Sequence, residues 1–159
     1  VDLTLNEEQG MMREMLRRFL GDRFDAVTMA KEPVTREDWN SLGELGLFEF
    51  LLPERAGGMG AGRAEIMLVA EDIGRSMAIT PLAESVLLCA GLVSRHGSQA
   101  QIERWVGPVA RGEAVMAFAR GGLVHDGRVT GDAGVVRDGM AASAFVVAAD
   151  DGSVVLVPA

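Results

Sequence analysis

Hydrophobic positions in the first two-thirds of the chain recur at intervals of three and four; in the last third they alternate or run together in short blocks. The change falls near Glu113. Before it, Thr4 with Glu7 forms a capping-box pattern ahead of Met12, Met15, Leu16, Phe19 and Leu20, which predicts one amphipathic helix. After a weakly patterned stretch ending at Pro33, Thr35 and Asp38 predict a second helix start, and Trp39, Leu42 and Leu45 give it an apolar stripe that stops at Gly46. LLPERAGGMGAG, with Pro53, Gly57, Gly58, Gly60 and Gly62, predicts a loop. Ile66, Val69, Ala70, Ile73 and Met77 predict a third helix. Pro81 then opens LAESVLLCAGLV, apolar on nearly all sides and expected to be a central, buried helix. Ser98 and Gln101 cap a fifth helix with Ile102, Trp105, Val106 and Val109, closing at Gly112. Met12, Met15, Met67 and Met77 stand at helical positions and are expected to fill the core.

From Glu113 the predicted strands are AVMAFA, RVTG, GVV, AFVVAA and SVVLV, punctuated by Asp126-Gly127, Asp138-Gly139 and Asp151-Gly152. The expected fold class is therefore mainly α: a bundle of five or more helices over residues 1–112, followed over 113–159 by a partial antiparallel β domain, the start of a β-barrel. Fewer than about 50 residues cannot close a barrel or bury a core of their own. We therefore expect the chain to be a piece of a longer protein, or to be completed by a partner.

Composition narrows the classes. With 48% hydrophobic and 24% charged residues in 159, the chain reads as an ordinary globular protein, and no apolar run is long enough to span a bilayer. VDLTLNEEQ lacks the basic and apolar regions of a signal peptide, so the expected location is cytoplasmic. A net charge of −8 without a basic cluster speaks against nucleic acid as a partner. Cys89, the single cysteine, excludes an internal disulfide and reads as a small buried hydrophobe within VLLCAGLV.

Familiar catalytic motifs are missing: no GxGxxG, Walker loop, HExxH or GxSxG occurs. Gly57-Gly58-Met59-Gly60 has the look of a phosphate cradle but lacks a preceding strand and a Lys-Ser/Thr, and is read as a structural turn. His96 is placed to bond carbonyls at a helix end, and His125 stands beside the Asp126-Gly127 turn; neither has a metal-ligand partner at helical spacing. Glu84, near the start of the apolar helix, reads as a partner of the helix dipole. No residue is assigned as catalytic and none as a metal ligand.

The order of the elements, with LTLNEEQ, DWNSLGELGLFEFLLPERAGGMGAG, MLVAEDIGRSMAITPLAESVLL, HGSQAQIERWVGPVARGEAVMAFA and GRVTGDAGVVRDGMAASAFVVAA, resembles the N-terminal helical domain and the beginning of the middle β domain of the flavin-dependent acyl-CoA dehydrogenases. The resemblance implies an FAD cofactor, an acyl-CoA substrate and a homo- or hetero-oligomer with an acyl-CoA dehydrogenase subunit. It implies removal of an α-proton by a glutamate base and of a β-hydride by the flavin, with the glutamate in a C-terminal domain that this sequence does not contain. Leu82, Ser85, Val86 and Cys89 would line the acyl pocket, and Phe118, Arg120 and Gly121 would stand at the flavin edge.

The chain departs from the family where MAFA usually continues as Leu-Thr-Glu-Pro and, soon after, Gly-Ser-Asp; here Arg120-Gly121-Gly122 follows. Gly121 falls at the place of the threonine hydroxyl, so only backbone donors remain. In this it is similar to divergent subunits of heteromeric dehydrogenases that act on steroid side-chain acyl-CoA thioesters. Three readings stay open: a flavin-dependent acyl-CoA dehydrogenase, a non-catalytic partner subunit of one, and a helical protein-interaction module.

Overall fold

The computed structural model describes residues 5–24 and 34–159. The chain divides into two compact units, residues 1–39 with 61–80, and residues 40–60 with 81–159.

In the first unit, α1 (Glu7–Arg23) starts at Asn6, whose side chain accepts the Gln9 N–H at 2.8 Å while Gln9 Oε1 accepts the Asn6 N–H at 3.1 Å. Thr4 of the expected Thr4–Glu7 box lies outside the described residues. α1 packs on α4 (Arg63–Arg75). Leu16, Leu20 and Phe24 are buried on the first helix, and Leu68, Val69 and Ile73 on the second. The methionine expectation fails for Met15, Met67 and Met77, which are each half or more exposed. A contact between two helices needs only a narrow stripe, and branched side chains at 16, 20, 68, 69 and 73 fill it, leaving the flanking methionines outside. Ala70 is likewise exposed, and Met77 lies past the helix end with φ +56°.

α2 (Arg36–Glu44) begins at the predicted box: Asp38 N–H donates to Thr35 Oγ1 at 3.2 Å and Thr35 N–H to Asp38 Oδ2 at 3.0 Å. From Asn40 onward it belongs to the second unit. Gly46, at φ +80°, separates it from a short α3 (Leu47–Leu51) that the hydrophobic pattern does not predict. A 3₁₀ turn (Glu54–Ala56) and the glycine-rich loop follow, and the loop folds back on α3. Gly57, Gly58, Met59 and Gly60 donate their N–H groups to the carbonyls of Glu54, Pro53, Glu49 and Leu52. Those donors face inward, as in a structural turn.

α5 comprises Leu82–Ala90, wound as a π-helix, and continues as Gly91–His96. Its Leu82, Ser85, Val86, Cys89, Ala90, Val93 and Ser94 are buried, as its composition predicts. The carbonyls at its end go not to His96 but to Arg55, whose guanidinium donates to Ser94 O and Arg95 O at 2.9 Å and to Gly97 O at 2.7 Å. α6 runs through Gln99–Gln101, Ile102–Val106 and Gly107–Ala110 from the predicted Ser98–Gln101 box, with Ile102, Val106 and Val109 buried.

The strands are β1 (Met116–Arg120), β2 (Leu123–His125), β3 (Arg128–Thr130), β4 (Ala144–Ala148) and β5 (Val154–Pro158). β1, β4 and β5 form one sheet in that order, and β2 and β3 a separate hairpin turned by Asp126 and Gly127, both at positive φ. The mainly helical class with a partial sheet holds, but the sheet is mixed rather than antiparallel. β4 and β5 are antiparallel, whereas β1 and β4 are parallel, Met116 opposite Ala144 and Arg120 opposite Ala148. Parallel strands need a long crossover, and residues 121–143 supply it. Within that crossover GVV is not a strand, since Val135 is fully exposed with no partner strand to pair it, and LVH is one.

Candidate functional site at the edge of strand β1

All residues singled out for substrate or flavin lie in the second unit, where α5 packs against β1. On α5, Val86 and Cys89 have no exposed surface, and Leu82 is buried. Burial pushes the Cys89 thiol up to about 12, with the nearby charge of Glu84 adding to the effect, so the sulfur is a neutral packing group at ordinary pH. Ser85, also fully buried, accepts the Met116 N–H on its Oγ at 2.9 Å.

β1 is an edge strand. Alternate N–H groups of a strand point to opposite edges, and the second edge of β1 meets side chains rather than another strand. Met116 N–H goes to Ser85, and Phe118 N–H, two residues on, goes to Glu84 Oε1 at 3.0 Å. The sequence alone places Glu84 as a partner of the helix dipole. The signal that marks its second role is two adjacent polar residues, Glu84 and Ser85, opening a helix that is otherwise apolar.

Of the three residues expected at the flavin edge, Phe118 is half-buried, Arg120 is exposed, and Gly121 stands at φ +108°. The Gly121 N–H donates to Ala148 O at 3.0 Å, and Asp150 N–H donates to Gly122 O at 2.9 Å, extending the ladder to β4 past Arg120. The exit of β3 lies against the two glycines. A Cβ on Gly121 would come within 3.1 Å of Asp132 O, and one on Gly122, at φ +87°, within 3.0 Å of Thr130 O. Glycine is required at both places by conformation and by close approach.

A flavin contact at Gly121 of the kind the resemblance implies needs a hydroxyl or a free backbone donor. Gly121 has no side chain, and its N–H is engaged by Ala148. Gly121 does not fit that contact.

Among the described residues no three or more His, Cys, Asp or Glu side chains gather as a metal site, and no helix is long and apolar enough to cross a membrane. His125 and Asp126 form an exposed pair at 3.3 Å. In the first unit an open cleft of about 510 Å³ is lined by Arg17, Leu20, Phe24, Asp72 and Arg75 among others. Its two arginines are already paired, Arg17 with Asp72 at 2.8 Å and Arg75 with Glu71 at 3.1 Å.

The helices thus lead into an edge strand whose backbone is held by two side chains of α5. Residues 6–113 match the family of the acyl-CoA dehydrogenase N-terminal domain, and the chain belongs to that family. The family uses FAD. The chain is 32% identical over 129 residues to acyl-CoA dehydrogenase FadE27 of Mycobacterium tuberculosis, covering 74% of this chain and 35% of that protein. The crystal structure of the ChsE4-ChsE5 complex from Mycobacterium tuberculosis matches with TM-score 0.81 and 27% identity over 99% of this chain and 49% of that one. A variant of the Tcur3481-Tcur3483 steroid ACAD matches with TM-score 0.75 and 25% identity over 98% of this chain and 49% of that one. The chain thus spans about a third of the length of the curated relative and about half that of the solved structures.

Proposed function

We propose that this chain is part of an acyl-CoA dehydrogenase-type oxidoreductase that desaturates an acyl-CoA thioester between Cα and Cβ, in an assembly whose flavin is held by a sister subunit. The observation that carries the second clause is Gly121: it offers no side chain, and its N–H is bonded to Ala148. The helical region and β1 then serve as wall and interface, with Leu82, Val86 and Cys89 as the buried backing of α5 and the domain boundary between Gly112 and Glu113. A steroid-type acyl-CoA is the proposed substrate class, supported by likeness to the ChsE4-ChsE5 complex and to a steroid ACAD.

The test is expression of the full-length chain alone and together with acyl-CoA dehydrogenases encoded beside it. The expected result is a colourless protein alone, and with its partner a yellow complex that reduces an electron acceptor on addition of acyl-CoA. A yellow homo-oligomer, fully active by itself, overturns the proposal. That outcome is the second reading, in which Phe118 and Arg120 contact the flavin directly; the exposure of Arg120 at the end of β1 favours it. The third reading, an interaction module without enzymatic ancestry, is set aside by membership of the family.

A further inference from the structure

The outer edge of β1 is held by two neighbouring side chains of one helix. Ser85 takes the Met116 N–H in full burial, and Glu84 takes the Phe118 N–H while half-buried. The two bonds differ in kind. Ser85 fixes the start of β1 through a neutral hydroxyl, with Met116 and Ala117 also fully packed. Glu84 fixes the far half, where burial falls away toward Phe118 and Arg120, through a carboxylate, and a hydrogen bond to a charged acceptor is the stronger. On the other edge the ladder to β4 holds β1 as far as Gly121. A strand held on one edge only can shift or fray at its end; one held on both is fixed in register.

We propose that Glu84 is a positioning residue: by accepting the Phe118 N–H it sets where the Phe118–Gly121 end of β1 stands relative to α5. Its effect on acyl-CoA oxidation rests on the reading given under Proposed function, while its effect on the strand does not. The side-chain amide of Gln offers the same acceptor without the charge, so Glu84→Gln retains the anchor in weakened form. Glu84→Ala removes it, and Glu84→Leu removes it while keeping the volume.

The experiment is amide hydrogen exchange on the full-length chain, in its complex if it has one, resolved at Phe118 and at the β4 amides Val146 and Val147. In Glu84→Ala and Glu84→Leu, Phe118 exchange rises about tenfold or more, and β4 exchange is unchanged. In Glu84→Gln it stays within about threefold of the parent. In the active complex, turnover with acyl-CoA falls in the first two variants and is restored by Glu84→Gln. Unchanged Phe118 exchange in both Glu84→Ala and Glu84→Leu overturns the proposal, and so does a rise shared equally by β4, which marks general loosening. If no complex oxidises any acyl-CoA, the functional reading fails, and the exchange at Phe118 still decides the role of Glu84.

Discussion

Asp72 and Glu84 are both carboxylates on helices that pack inward, one in each compact unit, and the two units satisfy them differently. Asp72, with no exposed side-chain surface, receives Arg13 Nε at 3.1 Å and Arg17 Nε at 2.8 Å from α1. Glu84 receives a backbone N–H of β1, beside Ser85, which receives another. Long arginine side chains can find a carboxylate from several backbone positions, so the α1–α4 contact tolerates adjustment and depends on charge. Backbone donors cannot move apart from their strand. The α5–β1 contact therefore specifies position.

The largest effect that would break this contrast is at Asp72. Asp72→Ala leaves two arginines facing a buried gap and is expected to lower unfolding stability by about 3 kcal/mol, read as a shift in urea midpoint. If the loss is below about 1 kcal/mol, the charges are not what joins α1 to α4. Next comes Ser85→Ala, which removes only the hydroxyl oxygen and strands the Met116 N–H in the core. A loss of about 2 kcal/mol is expected. Stability equal to the parent would mean that Met116 had found another acceptor and that β1 is not set by α5.

A smaller change sharpens the picture on the α1 side. Gly10 lies within α1, and a Cβ there meets nothing within 4 Å. Gly10→Ala is expected to raise stability by about 0.5–1 kcal/mol in the same urea titration, because it lowers the entropy of the unfolded chain. The smallest effect is with pH. The Arg75 guanidinium, and after it Arg13, holds the Glu71 carboxyl below its ordinary value of 4.5. A depressed folded value means that the contribution is present above 4.5 and is lost as pH falls through the folded value. Thermal melts stepped from about pH 6 to pH 3 should thus show a decline that Glu71→Gln makes shallower.

Several features settled within a few positions of the chain were legible, though the Asn6–Gln9 box and the short α3 were not. Thr35 with Asp38 and Ser98 with Gln101 form the expected boxes because each partner is three residues away. Asp126-Gly127 makes its hairpin for the same reason. The parallel pairing of β1 with β4 was not legible, since Ala117 and Phe145 meet only after the crossover of residues 121–143. Met15 and Met67 carried the correct helical period yet point outward, because period marks a face without saying how wide the covering partner is. Around α5 and β1, the burial of the helix was legible, and the partners of its two polar side chains were not. Ser85, expected in the acyl pocket, has its hydroxyl on Met116. Glu84, assigned to the helix dipole, reaches Phe118.

By itself the sequence determined the helical region, the handover near Gly112 to strands, the buried character of LAESVLLCAGLV and the absence of a side chain at Gly121. Each follows from local periodicity, capping or the identity of one residue. Only the tertiary structure decided that Glu84 and Ser85 hold the edge of β1, that the Gly121 N–H is engaged by Ala148, and that Thr130 and Asp132 lie against the two glycines. Those facts depend on which backbone groups of β1 and the residues after it meet α5, β4 and the exit of β3, from about eight to about thirty-four residues away in the chain. Hydrogen bonding of that range is set by packing, and no pattern along the chain encodes it.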